Sequence, residues 1–222
     1  MTRYKVAEIF ASINGEGRRA GETALFIRLA GCNLQCGYCD TAWANREDTP
    51  VRLMTLEEIR EAAAGEPIRN ITLTGGEPLM AEGAQALLRG LAGIPGSRIE
   101  VETNGSIGIR PFFACGDNIS FTMDYKLPGS GQEDRMCMAN LTALRTCDSI
   151  KFVVSDITDC MCAGRLIREY GLDTRCCVFF SPVFGRIRPR EIVNFMLQNN
   201  LNDVKLQLQL HKYIWDPDAR GV

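Results

Sequence analysis

Cys32-Asn33-Leu34-Gln35-Cys36-Gly37-Tyr38-Cys39 follows an apolar, strand-like segment and places three cysteines at the spacing C-x3-C-x2-C. Iron-sulfur clusters are held by cysteine thiolates, ordinarily four of them. A short loop that supplies only three leaves one iron of a four-iron cluster without a protein ligand, and an open position marks catalytic rather than structural metal sites. The spacing therefore favours a catalytic 4Fe-4S loop. A zinc site completed by a cysteine elsewhere is the alternative, although zinc sites favour paired C-x2-C units.

Composition excludes several classes of protein. The chain has 222 residues, with 25 Lys plus Arg against 27 Asp plus Glu and a net charge of -2. This length predicts a single domain over 1–222. Without a basic excess, we expect no nucleic acid partner. The N-terminus lacks the apolar core of a signal peptide, and no apolar run approaches the ~18 residues of a membrane span, so we expect a cytoplasmic protein without membrane contact.

Cysteine usage points to reduced thiols. Disulfide scaffolds are typically small, secreted and poor in apolar residues, whereas this chain is 45% hydrophobic and has ten cysteines. Cysteines outside the 32–39 loop are interpreted as small, often buried hydrophobes, and a second metal site is the less favoured alternative. They are Cys115, Cys137, Cys147, Cys160, Cys162, Cys176 and Cys177.

Strand-like and helix-like segments alternate along the chain, which predicts βαβ units and a largely parallel sheet. Thr55-Leu56-Glu57-Glu58 is a capping box that opens a helix. The predicted strands cover residues 4–13, 24–30, 70–74, 98–102, 119–124, 149–154, 175–180 and 204–210. The predicted helices cover 55–65, 84–91, 139–147 and 156–170, and one more begins at Pro189.

Polar or glycine-rich stretches follow the predicted strands at their C-terminal ends. In α/β barrels that edge carries the active site, so these stretches are expected to converge in space. Fewer than eight clear βα units favour an α/β fold of the open, partial β/α barrel kind. Besides the cysteine loop, the stretches are 75–78, 102–105, 124–126, 155–156, 181–182 and 209–212.

Thr74-Gly75-Gly76-Glu77-Pro78 adds a second motif. By itself it reads as a strand-ending turn. Together with the cysteine loop it resembles the radical S-adenosylmethionine superfamily, in which the open iron binds the amino and carboxylate groups of S-adenosylmethionine. Glycines that let the backbone approach, and a glutamate, suit an ammonium group that needs several acceptors. The resemblance implies reductive cleavage of S-adenosylmethionine to a 5'-deoxyadenosyl radical.

Four further segments resemble one family, the 7-carboxy-7-deazaguanine synthases: residues 14–17 (Asn-Gly-Glu-Gly), 26–33, 39–41 (Cys-Asp-Thr) and 207–215. The likeness spans nearly the whole chain. It implies conversion of 6-carboxy-5,6,7,8-tetrahydropterin to 7-carboxy-7-deazaguanine, a lyase reaction of queuosine and 7-deazapurine biosynthesis that contracts a ring and releases ammonia. It also implies flavodoxin or ferredoxin as electron donor and a homodimer. Asn14 departs from the glutamine most common in the family, which leaves the pterin contact open.

The resemblance implies the site residues as well. The 4Fe-4S ligands are Cys32, Cys36 and Cys39. Thr41 matches the position that ligates Mg2+, an ion that keeps waters and takes substrate oxygens. The S-adenosylmethionine contacts are Tyr38, Cys39, Asp40, Gly76, Glu77, Gly105, Lys126 and Ser155. The substrate contacts are Ile13, Asn14, Gly15, Arg28, Thr103 and His211.

Ordinary interpretations exist for three of these residues. Arg28 interrupts an apolar strand, and a buried guanidinium needs either the substrate's carboxylate or an ion pair with Glu16 or Glu102. The hydroxyl of Thr41 could cap a local turn. His211 is the only histidine, and a single histidine is more often an ordinary surface or core residue.

Two other functions stay open at this point. A glycyl-radical activating enzyme resembles the chain in size and cluster loop, but acts on a protein backbone. A non-catalytic iron-sulfur or zinc module belongs to a different class, and failure to bind S-adenosylmethionine would favour it.

Overall fold

The computed structural model of the protein describes residues 2–217 and 219–222. Its strands form one sheet around which the molecule is built. They are β1 Tyr4–Ile13, β2 Thr23–Leu29, β3 Arg52–Met54, β4 Asn70–Gly75, β5 Arg98–Thr103, β6 Ile119–Tyr125, β7 Ser149–Val154, β8 Cys177–Pro182 and β9 Val204–Leu206.

The sheet has the order β3-β1-β2-β4-β5-β6-β7-β8-β9. β1 is antiparallel to both β2 and β3, and each neighbouring pair from β2 to β9 is parallel. Within the described residues the edge strands β3 and β9 do not pair with each other, so the barrel is open. The predicted α/β fold, an open β/α barrel with a largely parallel sheet, is confirmed.

Helices connect the parallel strands, and their ends follow the expected capping chemistry. Thr55 and Glu58 exchange side-chain to backbone hydrogen bonds before α1, and Asp156 accepts the N–H of Asp159 at the start of α4. No helix in the described part of the chain is long and apolar enough to cross a membrane. The α-helices are α1 Leu56–Ala64, α2 Ala84–Ala92, α3 Ala139–Ala143, α4 Ile157–Tyr170, α5 Leu172–Arg175, α6 Pro189–Gln198 and α7 His211–Ile214, and a 3-10 helix, Arg110–Cys115, connects β5 to β6.

The central strands have two chemically different faces, because successive side chains point to opposite sides of a sheet. The face toward the helices, which we call the outer face, is apolar and forms the core; it includes Ile99, Val101, Phe121, Ile150 and Phe152. The inner face lines the barrel cavity and is polar; it includes Thr72, Thr74, Glu100, Glu102, Thr122, Asp124, Lys151 and Ser181.

Four local predictions are wrong. The last strand ends at Leu206 rather than at residue 210, because the backbone turns away from β8 after Gln207, and the N–H of Leu210 donates to the carbonyl of Gly15 instead. β8 begins at Cys177, and Arg175 belongs to α5. The helix expected over 139–147 ends at Ala143, since the following turn is held by Asp148. Strand β3 is absent from the sequence prediction.

Candidate active site

The cluster loop, residues 32–39, leaves the C-terminal end of β2. Backbone hydrogen bonds fold it: the N–H of Gly37 donates to the carbonyl of Ser130, and that of Cys39 to the carbonyl of Cys36, both at 3.2 Å. Its three cysteines are free and partly exposed. Burial raises the pKa of the Cys36 thiol, Lys126 opposes the rise, and Cys39 and Cys32 add to it. The three sulfurs are therefore close enough to interact electrostatically.

The donor set fits a 4Fe-4S cluster. The sulfur of Cys32 accepts the N–H of Leu34 at 3.4 Å and the side-chain amide of Asn104 at 3.5 Å, and hydrogen bonds to sulfur tune such clusters. Among residues 2–217 and 219–222, no group of three Cys, His, Asp or Glu side chains lies close enough together to hold a single metal ion. A cubane makes a different demand, because each cysteine ligates a separate iron and the sulfurs stay apart.

The Gly75-Gly76-Glu77 turn lies beside this loop. A side chain at Gly76 would collide with the carbonyl oxygen of Gly31 and with Cys32, so only glycine permits the approach. Glu77 is 2% exposed, and its carboxylate accepts hydrogen bonds from the N–H of Leu79 at 2.9 Å and of Asn104 at 2.7 Å. The predicted cofactor residue Glu77 thus braces the turn from inside.

Thr103 belongs to that brace. Its hydroxyl lies 3.0 and 2.9 Å from the two oxygens of Glu77, to which it donates, and its side chain is on the outer face, 3% exposed. The structure does not bring Thr103, predicted to contact substrate, to the barrel cavity. Gly105 follows with a φ of +76°, and its carbonyl accepts the N–H of Cys137.

Of two other predicted cofactor residues, Tyr38 belongs to the cluster loop and Lys126 lies beside it. The hydroxyl of Tyr38 donates to the carbonyl of Val153 at 3.3 Å, and burial raises its pKa to about 12. The ammonium of Lys126 pairs with Asp124 at 3.4 Å and interacts electrostatically with Cys36 and Tyr38. A positive charge therefore stands next to the loop that would carry thiolates.

The remaining predicted contacts of this edge are more peripheral. Asp40 is exposed and pairs with Lys212 at 3.6 Å. The hydroxyl of Thr41 lies 3.7 Å from the sulfur of Cys39, which puts an oxygen beside the cluster loop where Mg2+ is expected. Ser155 donates from its hydroxyl to Asp159 at 2.7 Å.

The floor loop, residues 14–17, follows Ile13 at the end of β1 and closes the cavity from below. The side-chain oxygen of Asn14 accepts the hydroxyl of Thr72 at 2.9 Å, while its side-chain nitrogen is buried without a hydrogen-bond partner in the described structure. A side chain at Gly15 would collide with the ring of His211. Asn14, Gly15 and His211, all predicted substrate residues, are therefore brought together. Burial lowers the pKa of His211, so its ring tends to be neutral.

Arg28 lies opposite Thr74 in the β2–β4 pairing and is mostly buried. Its Nε donates to Glu8 at 2.7 Å. The ion-pair partner is thus Glu8, and the interpretation that named Glu16 or Glu102 is wrong. This bond uses one of five guanidinium N–H donors.

A chain of alternating charges crosses the cavity wall. The ammonium of Lys151 lies 2.9 Å from the carboxylate of Glu16 and 3.0 Å from that of Asp124, whose other oxygen pairs with Lys126. Burial alone would lower the pKa of Lys151, but Asp124, Glu16 and Glu102 raise it well above normal. Burial alone would raise the pKa of Glu16, yet Lys151 holds it low. Both groups are therefore charged.

Glu102 lies on the same inner face, and it forms no ion pair with any other residue that the structure describes. Burial raises its pKa to about 7, while Lys151 and a hydrogen bond from Thr74 oppose the rise. Near neutrality it can therefore both donate and accept a proton.

Sequence reasoning missed five inner-face or floor residues as site residues: Thr74, Glu102, Asp124, Lys151 and Glu16. One signal was available. Strands of a parallel sheet covered on both faces are usually continuously apolar, whereas β5 and β6 carry a polar residue at every second position and β7 does so at Ser149 and Lys151. That alternation indicates a polar cavity.

The comparisons with known proteins agree with this arrangement. A sequence model of the Radical SAM superfamily matches residues 26–124. The 7-carboxy-7-deazaguanine synthase of Clostridium acetobutylicum is 50% identical over 99% of both chains. That of Chlorobaculum tepidum is 39% identical over 98% of this chain and 96% of its own.

A solved structure supports the fold. The crystal structure of QueE from Escherichia coli superposes with a TM-score of 0.71 at 23% identity, covering 93% of this chain and 94% of that one. The two synthases are far more similar in sequence, at 50% and 39% identity over nearly the whole chain. The three-cysteine loop and the polar inner face are features that suit this family. The chain therefore belongs to the 7-carboxy-7-deazaguanine synthase family of the radical S-adenosylmethionine superfamily.

Proposed function

We propose that the chain converts 6-carboxy-5,6,7,8-tetrahydropterin to 7-carboxy-7-deazaguanine with loss of ammonia. The observation that carries the proposal is that the polar inner face of the open barrel extends between the three-cysteine loop and a floor loop whose Asn14 has an amide nitrogen buried without a partner in the described structure. Full-length relatives of the same family support it. They do not favour a glycyl-radical activating enzyme or a non-catalytic module.

When bound, the 4Fe-4S cluster and S-adenosylmethionine supply the hydrogen-atom chemistry that begins and ends the ring contraction, and Mg2+ supplies a Lewis acid and template. Cys32, Cys36 and Cys39 would hold the cluster. Thr41 would hold Mg2+ together with substrate oxygens and waters.

The chain's residues at the C-terminal edge would orient S-adenosylmethionine. Gly76 allows close backbone approach, and Glu77 fixes that backbone through Leu79 and Asn104. Tyr38 and Asp40 lie on or beside the cluster loop, where they would border the same molecule. Gly105, Lys126 and Ser155 complete the proposed contacts.

The substrate would lie on the floor loop, between Ile13, Asn14, Gly15 and His211. Its carboxylate suits Arg28, whose guanidinium keeps donors beyond the bond to Glu8. The aminopyrimidinone edge of a pterin presents N–H donors, for which Glu102 offers acceptor oxygens close to the hydroxyl of Thr74. In this arrangement Thr103 would act through Glu77 rather than by touching substrate.

Four accompanying proposals concern the surroundings of the enzyme. The electron donor would be flavodoxin or ferredoxin, and the assembly a homodimer. Ten free cysteines in the described structure fit a reducing compartment such as the cytoplasm. The product would enter queuosine or other 7-deazapurine biosynthesis.

The test is anaerobic turnover. The reconstituted protein is given dithionite, S-adenosylmethionine, Mg2+ and 6-carboxytetrahydropterin, and products are followed by mass spectrometry. We expect 7-carboxy-7-deazaguanine from the native chain and none from Cys36→Ala. Cleavage of S-adenosylmethionine with the pterin unchanged would contradict the proposed substrate, and no cleavage by a fully loaded protein would contradict the proposed chemistry.

A further inference from the structure

The chain of charges that crosses the cavity wall joins its two ends. It begins at Glu16 in the floor loop and continues through Lys151 on β7 and Asp124 on β6 to Lys126. Lys126 interacts electrostatically with Cys36 and Tyr38 of the cluster loop. A continuous series of ion pairs thus runs from the proposed substrate floor to the proposed cofactor edge.

Lys151 is the central link of this series. Its side chain is 7% exposed and bridges two carboxylates, at 2.9 Å to Glu16 and 3.0 Å to Asp124. Asp124 and Lys151 are also paired across the β6–β7 ladder, so the bridge is built on two rigid strands. Glu16 belongs to a loop, and the bridge fixes that loop to the strands.

Glu16 is held from several directions at once. Ser181 on β8 donates to one oxygen at 3.0 Å, and Gln209 donates to the other at 3.4 Å. Gly15, the residue before it, contacts the His211 ring, and the backbone of Gly17, the residue after it, bonds Gln207. A shift of the Glu16 carboxylate would therefore move the floor itself.

A contribution to stability does not by itself explain this series of buried ion pairs. Replacing buried ion pairs with well-packed apolar residues is often neutral or stabilising, because removing charges from water costs about as much as their attraction returns. Fixed geometry is different: a reaction that moves a hydrogen atom between two bound molecules depends on their separation, and a misplacement of about 1 Å can cost on the order of a hundredfold in rate.

We propose that Lys151 is a positioning residue that sets the distance between the substrate floor and the cofactor edge by bridging Glu16 and Asp124. The proposal rests on the proposed function, since it concerns the alignment of the pterin with S-adenosylmethionine. Lys151 itself touches neither reacting molecule in this role.

The test compares Lys151→Met with the double variant Lys151→Met plus Glu16→Gln. The single change leaves the Glu16 carboxylate buried without its cation, so the single variant can lose activity through the unbalanced charge alone. The double variant removes one charge of each sign, and Asp124 keeps Lys126. Lys151→Arg keeps the cation. Arg145→Met is a matched control, because it takes the cation from Asp148, a buried carboxylate outside the cavity.

Each variant is reconstituted, and iron content, melting temperature and S-adenosylmethionine cleavage without pterin are measured. With pterin present, the ratio of 5'-deoxyadenosine released to 7-carboxy-7-deazaguanine formed is then determined. In the double variant we expect cleavage without pterin to stay within about twofold of the native rate. The released-to-formed ratio and the pterin KM should rise by about tenfold or more, as misalignment would cause. Lys151→Arg should show a smaller rise, and Arg145→Met only a lower melting temperature.

A double variant with the native ratio and the native pterin KM would overturn the proposal. The ion pairs from Glu16 to Lys126 would then serve only to balance buried charges. Loss of cleavage without pterin would also overturn it, because Lys151 would then serve the cofactor end alone. A native enzyme that cleaves S-adenosylmethionine but leaves the pterin unchanged contradicts the proposed function instead, and that result is seen before any variant is compared.

Discussion

The two faces of strands β5 to β7 differ in what their side chains do. Phe121 and Phe152 on the outer face are completely buried against the helices. Glu102, Asp124 and Lys151 alternate with outer-face residues in the same three strands, yet they face the cavity and bond or interact with one another. The outer face supplies burial energy, and the inner face supplies fixed charges. Substitutions on the two faces should therefore have separable consequences.

The largest expected effect on stability is on the outer face. Phe152→Ala should lower the free energy of unfolding by about 3 to 5 kcal/mol, because it leaves a cavity in a packed core. Urea unfolding measures the loss. The folded fraction should still cleave S-adenosylmethionine at the native rate. A loss of cleavage per folded molecule would break the proposed separation of the two faces.

On the inner face, Glu102→Gln should mainly reduce turnover. A glutamine has one acceptor oxygen where the carboxylate has two, so we expect kcat/KM for the pterin to fall by about tenfold or more, equivalent to ~1.4 kcal/mol or more. Anaerobic kinetics at pH 7 measure it. Unchanged kinetics would remove Glu102 from the proposed substrate site.

The same substitution should change how stability depends on pH. The pKa of Glu102 is about 7 in the folded protein, above the unfolded value of about 4.3. Between these values the folded state binds more protons than the unfolded state, so stability falls as pH rises through the window. Glu102→Gln should remove that part of the fall, by at most about 4 kcal/mol at pH 8 and less because the side chain is partly solvated. Melting curves from pH 5 to 8 check the sign. A steeper fall in the variant would contradict it.

Two threonines sharpen the comparison, because they lie on opposite faces near the same edge. Thr103→Val should weaken S-adenosylmethionine binding by about 1 to 3 kcal/mol, since it takes a donor from the buried carboxylate of Glu77. Thr74→Val should instead raise the pterin KM, since Thr74 faces Glu102. Isothermal titration with S-adenosylmethionine and steady-state kinetics separate the two. If instead Thr103→Val raised the pterin KM and Thr74→Val weakened S-adenosylmethionine binding, Thr103 would be a substrate contact after all.

This pair also shows where sequence reasoning ends. The alternation of elements and the cysteine loop were predictable, because periodicity and spacing are local. Which of two nearby threonines faces the cavity depends on strand parity, and a shift of one residue reverses the face. The bridge from Glu16 to Lys151 joins residues 135 positions apart, and the pairing of Arg28 with Glu8 depends on the β1–β2 register. Neither contact can be predicted from a short stretch of sequence.

The smallest expected effect concerns Asn14. Its oxygen accepts from Thr72, and its nitrogen is buried with no partner in the described structure, although buried polar groups are normally satisfied. Asn14→Asp keeps the shape and the acceptor and removes the donor, but it also adds an ionisable carboxyl at a buried position, so urea unfolding is measured beside the kinetics. If the nitrogen donates to the pterin, the pterin KM should rise by a factor that corresponds to about 0.5 to 1.5 kcal/mol. Thr72→Val is the matched control, because it removes the other bond of Asn14 and leaves the donor in place. An unchanged KM in Asn14→Asp, with a rise in Thr72→Val, would mean that Asn14 only supports the floor.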